Sequence, residues 1–166
     1  MRGLSPKKSM RQWLRMRRRI LKRCSACCLR PPNSSPRKRR KTEMLKLLLD
    51  EHISPDVANG LRRRNRAIEV RYMVEWENGY FLGQEDSACL REAAAQGLTL
   101  VTYDRRTIPP LLKAWAEEDR THGGVIFVDE RTISPADIGG LVWALTRLAR
   151  QTGNWDWANR IFFLRR

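Results

Sequence analysis

The chain has 166 residues and a formal charge of +15, with 33 Lys and Arg against 18 Asp and Glu, but that charge is confined to one end. Residues 1–43 hold 16 basic residues and one acid, whereas residues 44–166 hold 17 of each; the high pI describes a tail, which excludes reading the body as a generally basic nucleic-acid binder. Three of the four cysteines (Cys24, Cys27, Cys28) lie in the tail and only Cys89 in the body, which excludes a disulfide framework, and no segment reaches the ~18 apolar residues of a bilayer span.

The tail contains two Arg/Lys runs, the breaker Pro31-Pro32-Asn33-Ser34-Ser35-Pro36 and few apolar residues. Such a composition buries no core and is expected to be disordered. Trp13, Leu14, Met16, Ile20 and Leu21 allow one short basic amphipathic helix for nucleic acid or an anionic membrane surface, against the plainer reading of a solvated charge run. The tail lacks the continuous apolar stretch of a signal peptide, and the chain is expected in the cytoplasm. Met44 directly precedes a strand-like run, which leaves open that residues 1–43 lie upstream of the natural start. The Cys24-x-x-Cys27-Cys28 trio has no second Cys or His pair at finger spacing and is a poor zinc signal.

Residues 44–166 suit one domain with one core. Leu45 to Leu49 is apolar apart from Lys46, as in a buried strand, and stops at Asp50. Ser54-Pro55 supplies an N-cap and a first-turn proline for a helix to about Arg64. Ile68 to Val74 alternates as a second strand, and an aromatic loop, Glu75 to Gln84, follows. Helical spacing then runs from Asp86 to Gln96, with Gly97 placed to end it.

Leu98 to Tyr103 reads as a third strand closed by Asp104. Ile108 to Glu118, opened by Pro109-Pro110, reads as a third helix, and Gly124 to Val128 as a fourth strand ending at Asp129. Ser134-Pro135 repeats the capping device before a helix to about Arg150, and Trp155 to Leu164 reads as a final strand at a sheet edge. This alternation predicts an α/β domain: a mostly parallel, twisted sheet of four to five strands with helices on both faces.

In such a sheet, strand C-terminal ends and helix N-termini share one edge, where ligands bind. Asp50 and Asp104 end strands, Asp86 opens a helix and Asp129 ends the fourth strand, so all four are expected on that edge. Gathering like charges is costly unless a cation neutralises them. An all-oxygen donor set with no clustered Cys or His favours Mg²⁺ or Mn²⁺ over zinc.

Each acid also has a capping reading. It is weak for Asp50, since Ser54 already caps the next helix, and strong for Asp86, which can simply begin its own; Asp129 with Glu130 also reads as an ordinary solvent-facing turn. Strand alternation would direct Glu51 away from the site and His52 toward it, a plain loop histidine being the simpler reading. Arg105 and Arg106, beside Asp104, are placed to contact RNA phosphate, whereas Arg62, Arg63, Arg64 and Arg66 read as a solvated helix end. Trp76, Tyr80 and Phe81 suit base stacking, partner docking or core packing equally well. Cys89 reads as a small buried residue.

Leu47-Leu48-Leu49-Asp50-Glu51-His52-Ile53-Ser54-Pro55, then Asp86-Ser87-Ala88 opening an alanine-rich helix, then Leu100-Val101-Thr102-Tyr103-Asp104, resembles the small bacterial PIN-like proteins. These are toxin components of toxin-antitoxin modules, similar to VapC-type ribonucleases. The likeness begins at Met44, covers nearly all of the body and leaves the tail outside; its first stretch is the most specific part. It implies a PIN fold in which Asp50, Asp86 and Asp104 hold Mg²⁺ or Mn²⁺ and hydrolyse RNA phosphodiesters. RNA is then the substrate and a cognate antitoxin protein the partner, with no membrane role and a homodimer among the allowed assemblies.

The family commonly has a second acid two residues after the third, and here that position is Arg106, which implies a reduced ligand set. The rival expectation is a PIN-like binding module without catalysis, acting through a protein partner or the basic tail. A receiver-like phospho-acceptor domain would want a lysine after a late strand, and the body's only lysines are Lys46 and Lys113. Dehalogenase-type phosphatases want Asp-x-Asp, and the chain has Asp50-Glu51-His52.

Overall fold

The computed structural model describes residues 45–166; the readings placed on Trp13, Leu14, Met16, Ile20, Leu21 and the three tail cysteines lie outside the described residues. Five strands, β1 (Lys46–Leu49), β2 (Glu69–Tyr72), β3 (Thr99–Thr102), β4 (Val125–Val128) and β5 (Ile161–Leu164), form one sheet in the order β2-β1-β3-β4-β5. Every pairing is parallel. The α-helices are α1 (Pro55–Arg64), α2 (Asp86–Ala95), α3 (Ile108–Glu117) and α4 (Ile138–Thr152), with a short 3-10 turn at Trp76–Gly79. The expected α/β alternation is thus present.

Strand alternation divides the core between the two sheet faces. Leu47 and Leu49 pack with Val57 and Leu61 of α1 and with Leu141, Leu145 and Leu148 of α4. Leu48 points the other way, into a cluster with Leu90 of α2 and Leu112 and Trp115 of α3. Helices therefore cover both faces, and each fully buried leucine contributes about 1.5–3 kcal/mol relative to exposure. Among the described residues no helix is long and apolar enough to cross a membrane.

From β1 the chain first moves outward to β2, then returns to place β3 on the other side of β1. Such a reversal opens a crevice beyond the carboxyl ends of the two central strands, where open α/β sheets bind ligands. β1 and β3 are in register there, Leu49 beside Val101, and the Asp50 N–H extends the ladder to the Val101 carbonyl at 3.1 Å.

Two expected boundaries move for identifiable reasons. Ser134-Pro135 closes a turn, with the Asp137 N–H on the Ser134 carbonyl at 2.8 Å, and does not open the last helix. Asp137 is the cap instead, its carboxylate accepting the Gly140 N–H at 2.8 Å. A Cβ on Gly140 would stand only 2.2 Å from that carboxylate, so the glycine permits the cap. The last strand starts at Ile161 and not at Trp155, because the chain turns at Asn159, in left-handed conformation at φ 58°, and at Arg160, whose N–H meets the Trp157 carbonyl. It does form the sheet edge.

Candidate functional site

Asp50 is the first residue beyond β1. Its Oδ1 accepts the Glu51 N–H at 2.7 Å, and its Oδ2 accepts the Thr102 hydroxyl at 2.6 Å. Thr102 is fully buried at the end of β3, and its oxygen in turn accepts the Asp104 N–H at 2.9 Å. Asp104 Oδ1 accepts the N–H groups of Arg106 and Thr107 at 2.6 and 3.0 Å. Thr107 Oγ1 stands 2.5 Å from Asp104 Oδ2 and 2.7 Å from Asp86 Oδ2. A hydroxyl carries one proton, so Thr107 serves one of those carboxylates at a time.

Two threonines thus tie together three aspartates from three segments. All three line one cavity of about 80 Å³, with Glu51, His52, Phe81 and Cys89 also in its wall. That is room for several water-sized groups.

Asp86 is the first residue of α2, but the helix has no side-chain cap; the preceding Glu85 occupies the cap position and the Asp86 carboxylate reaches across to Thr107. Asp129 is absent from the wall of the cavity. Its carboxylate accepts the Arg131 N–H at 3.2 Å and lies 3.7 Å from Arg165 Nε, as an ordinary turn would have it. The expectation that Glu51 points away is overturned, because the chain turns at once after β1, with the Ile53 N–H on the Asp50 carbonyl at 3.0 Å. Strand alternation ends there, and Glu51 and His52 both face the cavity; His52 Nδ1 is 4.0 Å from Asp50 Oδ2.

Of the two arginines, Arg106 is exposed beside Asp104, while the Arg105 guanidinium lies 5.5 Å over the Phe163 ring, toward β5. The aromatic loop divides its roles. Trp76 is buried and stacks on Phe81 at 4.6 Å, which walls the cavity, whereas Tyr80 is exposed. Arg62 Nη2 holds the Val70 carbonyl at 3.0 Å, and Arg63, Arg64 and Arg66 are solvent-facing.

Burial alone would raise the Asp104 carboxyl. The Thr107 hydroxyl, the N–H groups of Arg106 and Thr107 and the Arg106 charge outweigh it and hold the group below its ordinary value. Burial, followed by the charges of Asp86 and Asp50, pushes the Cys89 thiol up, which keeps it a protonated wall residue.

Mg²⁺ takes one or two carboxylates directly and keeps several waters. Among the described residues no three His, Cys, Asp or Glu side chains are grouped to hold a metal by themselves, and the Thr107 hydroxyl lies between Asp86 and Asp104. The carboxylates lining the cavity are hard oxygen donors, and among the described residues they do not form a ready-made cage of protein ligands.

Thr102 and Thr107 carry only a slight signal in the sequence. Thr102 shares strand parity with Asp104, and Thr107 follows Asp104 at a spacing common to side-chain turns. No family model matches the chain, and neither a curated protein nor a solved structure shows significant similarity to it.

Proposed function

We propose that this chain is a PIN-like, metal-dependent ribonuclease of the toxin-antitoxin type, acting in the cytoplasm and held in check by a partner protein. The observation that carries this reading is the shared cavity of Asp50, Asp86 and Asp104 at the reversal point of the sheet. A bound Mg²⁺ or Mn²⁺ would supply polarisation of a phosphate oxygen and a bound water of lowered pKa. Asp50, Asp86 and Asp104 are the residues that would hold it.

The remaining work falls to the chain itself. Thr102 fixes the Asp50 carboxylate and the Asp104 backbone together, and the N–H groups of Arg106 and Thr107 keep Asp104 ionised. Arg106 and His52 are exposed beside Asp104 and Asp50, and contact with RNA phosphate is the role this reading gives them. Because residues 44–166 are neutral in sum, attraction of RNA is local and weakly steered. The test is Mg²⁺-dependent RNA cleavage by purified Asp50→Asn and Asp104→Asn proteins with intact folds. Loss in both supports the site, and cleavage surviving in both overturns it.

A second reading has its own observations. Thr107 occupies the space between two of the carboxylates, and Arg106 stands where relatives of the proposed family commonly carry a further acid. Both favour a PIN-like binding module that no longer cuts RNA. Calorimetric titration with Mg²⁺ and Mn²⁺ separates the two readings, since the module would bind neither ion.

A further inference from the structure

We propose that β5 pairs with β5 of a second copy of this chain, joining two sheets edge to edge. β5 pairs with β4 on one side, and among the described residues no strand lies on the other. The carbonyls of Arg160 and Leu164 accept from Val125 N and Asp129 N at 2.8 and 3.0 Å. By alternation, Phe162 also turns its backbone toward β4, and the N–H and C=O groups of Ile161 and Phe163 face the open side. Edges are usually blunted by a charge or a proline within the strand; Ile161-Phe162-Phe163-Leu164 has neither.

The charges around the strand are largely answered within the chain. Arg165 and Arg166 each lie 3.7 Å from a carboxylate, of Asp129 and Asp137, and on the α3 side Lys113 and Arg120 lie 3.9 and 3.3 Å from Glu117 and Glu118. Arg160 donates to the Asp156 carbonyl and lies 5.0 Å over the Trp155 ring. Arg105 sits over Phe163 itself. What the edge presents is therefore an open backbone with apolar side chains, and its complement is a strand of the same character. β5 is such a strand.

Self-pairing also fixes a register. In an antiparallel ladder, residues whose backbone faces the open side must stand opposite each other. A two-fold axis at Phe162 sets Ile161 of each copy opposite Phe163 of the other, and both pairs can then exchange their N–H and C=O groups. Arg160 falls opposite Leu164 and Arg165 opposite Asn159, so no arginine opposes another, and an aromatic ring meets a β-branched side chain. The two neighbouring in-phase registers are poorer. One sets Ile161 opposite Arg165, and the other sets Phe163 opposite Asn159, where the chain turns at φ 58°. The two-fold rotation keeps α3 of both copies on one face. There Ile161 and Phe163, 49% and 52% exposed, line a groove of about 530 Å³ with Leu112 and Phe127, and the same two residues of the copy close its open side. The groove shares no lining residue with the aspartate cavity, so the inference stands apart from the nuclease reading.

Sedimentation velocity on the reduced full chain over a concentration series should show a monomer–dimer equilibrium, and hydrogen exchange of the Ile161 and Phe163 amides should slow as the dimer forms. Phe163→Glu and Ile161→Lys, both at exposed positions, should each raise the dissociation constant at least about tenfold, since each leaves an unpaired charge at the seam. An equimolar mixture of the two variants should recover the dimer, because in this register the introduced lysine of one faces the introduced glutamate of the other. A dimer indifferent to both variants, or a mixture that recovers nothing, would overturn the proposal. A chain monomeric throughout would leave the edge to a different protein, and protection of the same amides by RNA in a monomer would assign it to nucleic acid; either result also overturns it.

Discussion

Thr102 donates its hydroxyl to Asp50 Oδ2 at 2.6 Å, across 52 residues of sequence, while its oxygen accepts the Asp104 N–H at 2.9 Å. One buried side chain thereby fixes the carboxylate of one aspartate and the backbone of a second. Valine has the same shape and neither function, so Thr102→Val leaves a partly buried carboxylate without its donor and an N–H without its acceptor. A loss of about 1–3 kcal/mol in urea denaturation is expected, with most of it recovered in Thr102→Ser. A valine variant as stable as the parent would show that these bonds do not hold the site.

Thr107 makes a different prediction, because its hydroxyl sits between two acids. Burial pushes the Asp104 carboxyl up, and the Thr107 hydroxyl leads the interactions that bring it below its ordinary value. Thr107→Ala removes that contribution, so the Asp104 inflection in a ¹³C carboxyl titration should move to higher pH. The sign for stability follows. A depressed folded-state value adds stability above the unfolded carboxylate range and loses it as pH falls through the folded value. The variant should therefore lose less stability than the parent on acidification, and an unmoved inflection would contradict the assigned bond.

The carboxylate edge is legible in the sequence because Leu47, Leu48 and Leu49 read as a strand buried on both faces, which puts the next residue, Asp50, at a sheet edge. The same logic places Asp104 after Leu100-Val101-Thr102. What local pattern does not carry is a partner far away in sequence. The Thr102 hydroxyl serves Asp50, and the Thr107 hydroxyl reaches Asp86, 21 residues away. Glu51 defies alternation because the pattern stops one residue earlier, where the chain turns. Ser134-Pro135 suggests the start of α4 because it repeats the device that opens α1. The cap is Asp137, three residues further on, whose carboxylate accepts the Gly140 N–H at 2.8 Å.

His122 gives the fold a pH dependence in a window free of ordinary carboxylates. It is buried, and its Nδ1 accepts the Gly124 N–H at 3.1 Å, which requires the neutral ring. Burial lowers its folded-state pKa, while in the unfolded chain it titrates near 6.5. The unfolded state binds the proton first as pH falls, so the stability linked to His122 is complete above about pH 6.5 and is lost progressively below it. Urea midpoints should fall between about pH 7.5 and pH 5.5, and His122→Gln should flatten that slope.

Two glycines should respond to the same substitution with opposite signs. A Cβ on Gly123 would lie 2.2 Å from the Leu98 carbonyl oxygen and 3.2 Å from its carbon, and both atoms belong to the backbone leading into β3. Gly123 also presents its carbonyl to the Thr99 hydroxyl at 2.9 Å, so the two segments cannot separate without breaking that bond. Gly123→Ala should cost about 3 kcal/mol or more, by forcing backbone apart in a packed core. Gly139 lies exposed in α4, and a Cβ added there would meet nothing within 4 Å. At that position alanine removes unfolded-chain entropy at no steric cost and should stabilise by about 0.5–1 kcal/mol. Thermal denaturation of the two variants side by side checks both signs; a Gly123→Ala protein as stable as the parent would mean that the close packing of Gly123 on Leu98 is not a feature of the fold.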